Sequence, residues 1–116
     1  MGSKMEPSFN KIQEQLPEIM KAFNQLRQAA SQEGALSARV KHIIFIAVAV
    51  ALRCEPCIRV HIRKAVEMGI SRKEILEAVG IAIVMAGGPA VAYSSTVIEV
   101  LDEMNASVDT ITTMDT

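Results

Sequence analysis

The apolar stretch from Val40 to Leu52 restricts the fold more than any other part of the sequence. Its β-branched residues would suit a buried strand, but its length and its alanines favour a helix, and Ser37 is suited to the N-cap. A helix that is apolar on every face lies at the centre of a domain or at an interface. We therefore predict a helix that begins after Ser37 and lies centrally or between subunits.

Glycine and proline divide the rest of the chain into further helices. Pro17 suits the first turn of one helix, and Pro56 suits the first turn of another that Gly69 ends. The sequence from Ser71 to Glu74 is a capping box, which predicts the start of a third. A last helix is predicted to begin near Ala90. Its apolar residues on one side are Tyr93, Val97, Ile98, Leu101 and Met104.

These elements predict an all-α fold, because no strand and no internal repeat is evident in the sequence. The expected architecture is a compact bundle of five to six helices. Since aromatic residues make up only 3% of the chain, the core is expected to consist of isoleucine, valine, leucine, methionine and alanine.

The chain of 116 residues is expected to form one domain, spanning residues 5–105. Met1–Lys4 is interpreted as an expression remnant, and the small, polar and acidic residues 106–116 as a loose tail. Half of the residues are hydrophobic and only 22% are charged. Because a domain of this size buries only about two-thirds of its unfolded surface, the apolar excess predicts a homo-oligomer.

Charge and hydropathy argue against two classes of partner. The formal net charge is −1, and there is neither a basic tract nor an aromatic platform, so nucleic acid binding is not expected. The longest apolar run, Ile43 to Leu52, is too short to cross a membrane, and the N-terminal residues do not resemble a signal peptide. We therefore predict a cytoplasmic protein that binds neither membranes nor nucleic acids.

The two cysteines of the chain, Cys54 and Cys57, form a CxxC motif that His61 follows one helical turn later. At these spacings the three side chains share one face of a helix. A helix N-terminus carries about half a positive charge, which stabilises a thiolate, and a histidine can accept the thiol proton or pair with the thiolate. A second thiol can attack an oxidised first one and close a disulfide. The motif therefore favours redox chemistry.

Two other interpretations of these residues stay open. His42, Cys54, Cys57 and His61 are all the histidines and cysteines of the chain, and two of each make a legitimate tetrahedral zinc set. Their spacing does not match that of a zinc finger. Free cysteines are also often buried simply as small hydrophobic residues.

The stretch from Leu36 to Met104 resembles the carboxymuconolactone decarboxylase family, in its alkylhydroperoxidase D-like branch. The matching segments are residues 52–61, 65–69, 74–78 and 85–89. The resemblance implies an all-α fold and a homo-oligomer, often a hexamer built as three dimers. The decarboxylase branch lacks this CxxC motif, so decarboxylation is not implied.

The resemblance also implies a peroxidase cycle that needs no cofactor and no metal. In that cycle Cys57 would attack a small hydroperoxide, Cys54 would be the resolving thiol, and His61 would belong to a proton relay. An external dithiol reductant, lipoyl or thioredoxin-like, would restore the two thiols. The sequence is thus predicted to encode a thiol-dependent peroxidase. The alternatives are a metal-binding or structural oligomer and a disulfide-exchange protein without peroxidase activity.

One position departs from the family pattern. The family has a glutamate twelve residues before the first cysteine of the motif, with eleven residues between the two, and this chain has His42 there. An imidazole could relay protons, since its pKa lies near neutrality. It could also repel His61 or share a metal with it.

Overall fold

A computed structural model of the chain shows six α-helices and, within the part it describes, no strand. It describes the backbone of residues 7–107 and the side chains of residues 10–105. The predicted remnant Met1–Lys4 and most of the predicted tail, residues 108–116, lie outside that part. In chain order the helices are α1 (Pro7–Gln15), α2 (Pro17–Ala30), α3 (Ala38–Ala51), α4 (Glu55–Glu67), α5 (Arg72–Ala86) and α6 (Gly88–Ser107). The all-α prediction is confirmed.

Helix α3 is the central element, since it packs against α4, α5 and α6. The hydroxyl of Ser37 accepts a hydrogen bond from the N–H of Val40 at 3.0 Å, so the predicted N-cap is confirmed. Ile46 and Val50 are completely buried, and burying each such side chain stabilises the fold by about 1.5–3 kcal/mol. The other side of α3 stays exposed. The helix is therefore central on one face only.

The turn between α4 and α5 follows the local sequence closely. Gly69 has a φ of +83°, and the N–H of Gly69 and of Ile70 bond to the carbonyls of Val66 and Ala65, which is a Schellman motif. Two residues later Ser71 begins α5 with the predicted capping box, whose serine and glutamate contacts are both present. Ile70 between them is buried and anchors the turn to the core.

The structure corrects several expectations about the helices and the core. Helix α1 was not predicted, and α6 begins at Gly88 and extends two residues beyond Asn105. On α6, Ile98 is exposed, although it lies only about 60° around the helix from the buried Leu101 and about 100° from the buried Val97. The core contains no completely buried methionine among the described residues, and Met85 is 79% exposed. Isoleucine, valine, alanine and Leu101 form the buried core, and Met68 and Met104 pack against it while partly exposed.

The hairpin of α1 and α2 lies outside this core. The two helices pack on each other, and no residue of α2 is buried. Phe23 and Leu26, which share the apolar side of α2, are exposed. The hairpin contributes instead to clefts beside α4. In the described part of the chain, no helix combines the length and the apolar character that crossing a membrane requires.

Candidate functional site

The first cysteine of the motif occupies a position shared by two helices. Arg53 has a φ of +59°, and the N–H groups of Arg53 and Cys54 bond to the carbonyls of Val50 and Ala49. This is a second Schellman motif, in which an arginine takes the left-handed position that usually holds glycine. Cys54 thereby closes α3 and is at once the N-cap of α4. The turn brings the motif directly to a helix N-terminus.

The two cysteines form a disulfide in this structure, with their Cα atoms 5.3 Å apart. The Sγ atom of Cys54 accepts a hydrogen bond from the N–H of Cys57 at 3.3 Å. This is the N-cap contact that a serine or aspartate oxygen usually makes. Because the free N–H groups of a helix N-terminus favour negative charge, the position stabilises Cys54 as a thiolate once the disulfide is reduced.

The predicted face of α4 is present, and it places His61 one turn after Cys57. The ring of His61 is stacked on Phe45, with centroids 4.8 Å apart and planes 12° apart. Its edge meets the ring of His42, which is only 7% exposed. The structure thus brings His42 of α3 and His61 of α4 into direct contact.

The ring nitrogens of the two histidines define how the pair shares its protons. Nε2 of His42 lies 3.2 Å from the carbonyl oxygen of His61 and 3.3 Å from Nδ1 of His61. A carbonyl oxygen only accepts, so both contacts are attractive when His42 carries its proton on Nε2. Nδ1 of His61 is then an acceptor, and neutral His61 carries its own proton on Nε2. The opposite tautomers would set a lone pair of His42 against the carbonyl oxygen.

The surroundings of both histidines favour the neutral imidazole over the imidazolium. Burial lowers the pKa of His61 to about 4, together with repulsion from His42 when that ring is protonated and from the charge of Arg27. Burial also lowers the pKa of His42; the hydrogen bond to the carbonyl of His61 opposes this shift, and the charge of Lys64 adds to it. Neutral His61, with its proton on Nε2, is therefore a hydrogen-bond donor to whatever lies beyond that nitrogen.

Two clefts meet at His61. The first has a volume of about 430 Å³ and lies between the α1–α2 hairpin and α4. It is lined by Asn10, Gln13, Met20, Phe23, Asn24, Arg27, Cys57, Val60 and His61. The second, of about 370 Å³, lies on the side of His42 and shares Arg27, Val60 and His61 with the first. Of the two cysteines, only Cys57 lines either of these clefts, so it is the sulfur that a ligand in the first cleft would meet.

The predicted four-residue zinc set is not assembled. Among the described residues, no three histidine, cysteine, aspartate or glutamate side chains converge closely enough to hold a metal ion. His42 and His61 are in contact, but the two sulfurs are joined to each other.

Arg27 and Phe45 belong to the site and were not found from the sequence. Phe45 lies three residues after His42, so helical spacing alone could have placed it on the same face. Arg27 lies on a different hairpin, and nothing in its local sequence distinguishes it from the other exposed arginines. Its position depends on how α2 lies across α4.

The lowered pKa of His61 predicts a stability that depends on pH. The unfolded chain binds a proton near pH 6.5 and the folded chain only near pH 4, so acidification across this window favours unfolding. We expect the free energy of unfolding to fall between pH 6.5 and pH 4 by more in the wild type than in His61→Gln. Urea titrations at a series of pH values measure this difference. Equal losses in the two proteins would contradict it.

Comparison with known proteins places this arrangement in a family. The sequence profile of the carboxymuconolactone decarboxylase family matches residues 17–99. A curated protein of Cupriavidus necator, whose function is not established, is 33% identical over 104 residues, which are 90% of this chain and 92% of that protein. A protein encoded in the cox locus of Paracoccus denitrificans is 35% identical over 74% of this chain and 78% of its own length.

Solved structures give the same result. A carboxymuconolactone decarboxylase family protein from Legionella pneumophila matches with a TM-score of 0.80 and 35% identity, over 88% of this chain and 91% of that one. A family member from Thermotoga maritima, described with a suggested part in the antioxidative response, matches with a TM-score of 0.73 and 30% identity. That match covers 78% of this chain and 94% of the Thermotoga chain.

Proposed function

The chain belongs to the carboxymuconolactone decarboxylase family, and from this premise we propose that it is a thiol-dependent peroxidase that reduces hydroperoxides. The observation that carries the proposal is the placement of Cys57 and His61 in one cleft while Cys54 is bonded to Cys57. The antioxidative description of the Thermotoga relative agrees with this function.

The first step of the proposed cycle takes place at Cys57. Its thiolate, formed by loss of the thiol proton to water, attacks the distal oxygen of the hydroperoxide. The S–O bond forms as the O–O bond breaks, which gives Cys57 sulfenic acid and an alkoxide that takes a proton from water. The proton on Nε2 of His61 stabilises negative charge by hydrogen bonding, first on sulfur and then on the departing oxygen.

The second step closes the disulfide. The thiolate of Cys54, held at the N-cap of α4, attacks the sulfur of the sulfenic acid, and the hydroxide that leaves takes up a proton to become water. An external dithiol, lipoyl or thioredoxin-like, then reduces the disulfide by two successive thiol–disulfide exchanges. In that reduction the N-cap N–H stabilises Cys54 as the leaving thiolate.

We also propose that the chain acts as a homo-oligomer. Large apolar side chains are exposed on α5 and at the C-terminal end of α3, among them Leu52, Ile81, Val84 and Met85. Burial of such residues between subunits would remove them from water.

The proposed activity is tested by following an organic hydroperoxide in the presence of dithiothreitol and catalytic amounts of protein. We expect continuous turnover well above the rate with dithiothreitol alone, and little acceleration of insulin disulfide reduction. Fast insulin reduction without hydroperoxide loss would instead identify a disulfide-exchange protein. No acceleration of either reaction would contradict both functions.

A further inference from the structure

We infer that the cleft beside Cys57 takes hydroperoxides in which an apolar chain carries a carboxylate. This inference deepens the proposed peroxidase function and rests on it for the chemistry at sulfur. It is carried by the distribution of apolar and charged side chains around the cleft.

The apolar part of the cleft comes from both of its walls. Met20 and Phe23 line it from α2, and Val60 lines it from α4 between Cys57 and His61. Phe23 is 51% exposed, so a large part of its apolar ring is in contact with water. A hydrocarbon chain lying between these residues would cover them and direct one end of a ligand towards the sulfur.

The charge around both clefts has a single sign. Arg27 lines both clefts and Lys64 lines the second, whereas no aspartate or glutamate among residues 10–105 lines either of them. Arg27 lies close enough to His61 for its positive charge to help lower the pKa of that histidine. An anionic group in this region would therefore meet cations without an opposing carboxylate.

Arg27 also differs from the other arginines that approach a neighbouring helix. Arg39, Arg59, Arg63 and Arg72 each form an ion pair with a carboxylate. Arg27 instead donates a hydrogen bond to the uncharged side-chain oxygen of Asn24 at 2.9 Å. It forms no ion pair within the described residues. Its guanidinium has four further N–H donors, which match the two oxygens of a carboxylate.

The test compares ω-hydroperoxydecanoic acid with its methyl ester, which keeps the chain and the hydroperoxide but carries no negative charge. We expect kcat/KM for the acid to exceed that for the ester by about ten-fold, as a charge-assisted hydrogen bond would provide. In Arg27→Gln the ratio of the two kcat/KM values should fall to about one. Lys21→Gln, which removes a charge from the same helix outside the cleft, should keep the wild-type ratio.

A binding measurement separates this inference from the proposed function. We expect decanoate to bind the oxidised protein, and Arg27→Gln to weaken its affinity about ten-fold while leaving that of decanol unchanged. Equal acid-to-ester ratios in the wild type and Arg27→Gln, or equal decanoate affinities, would overturn the inference. If the protein consumed neither hydroperoxide but still bound decanoate in a way that depends on Arg27, the peroxidase function would be overturned and the carboxylate site would remain.

Discussion

Replacing Cys57 with serine is expected to lower hydroperoxide turnover by at least about a thousand-fold, because a serine hydroxyl is not ionised at neutral pH and cannot attack the peroxide oxygen. Cys54→Ser should behave differently. It keeps the attacking sulfur, so we expect it to consume about one equivalent of hydroperoxide and then stop with Cys57 as a sulfenic acid. Dimedone labelling followed by peptide mass spectrometry identifies that product and its position.

The two serine variants are matched controls for each other, since each removes one sulfur from the same turn of α4. A dimedone adduct on Cys54 in Cys57→Ser, with rapid loss of peroxide, would reverse the assigned roles. The cleft contact of Cys57 favours it as the attacking sulfur, and the N-cap contact of Cys54 stabilises the thiolate that then closes the disulfide.

Replacing His42 with glutamate is expected to reverse the tautomer of His61. A carboxylate only accepts hydrogen bonds, so it would take one from Nδ1–H of His61 and leave Nε2 free to accept the thiol proton. His61 would then act as a general base, and its pKa should rise because the carboxylate favours the imidazolium. We expect the reaction of the reduced protein with hydroperoxide to accelerate by about ten-fold or more at pH 7.

The matched control for this variant is His42→Gln. A glutamine amide can donate to both the carbonyl oxygen and Nδ1 of His61, as Nε2 of His42 does, so His61 should keep its proton on Nε2. Nitrogen-15 chemical shifts and couplings of the His61 ring distinguish the two tautomers directly. The same tautomer and the same His61 titration in wild type and His42→Glu would contradict the proton arrangement assigned to the histidine pair.

Local sequence was sufficient where the structure depends on neighbours along the chain. The Ser37 cap, the Ser71 capping box and the stop at Gly69 are short-range hydrogen-bond patterns, and all three were predictable. The shared face of Cys57 and His61 follows from helical spacing in the same way. Cys57 and His61 are the residues of the site that α4 positions without the help of another helix.

Contacts between helices were harder to predict, because they depend on packing rather than on spacing. His42 was connected with the cysteines only by the family motif and by the alternative zinc set, and nothing in the sequence indicated that its Nε2 would face both the carbonyl and the ring of His61. Arg27 reaches the site through the orientation of the α1–α2 hairpin. Helix α1 itself was missed because it is short and its sequence is largely polar.

The most direct test of the proposed peroxidase cycle is a single-turnover reaction of fully reduced protein with one equivalent of an organic hydroperoxide. We expect both thiols to be lost far faster than free cysteine reacts, with one Cys54–Cys57 disulfide and one alcohol formed for each hydroperoxide consumed. Two thiols that persist, or that react no faster than free cysteine, would contradict the cycle.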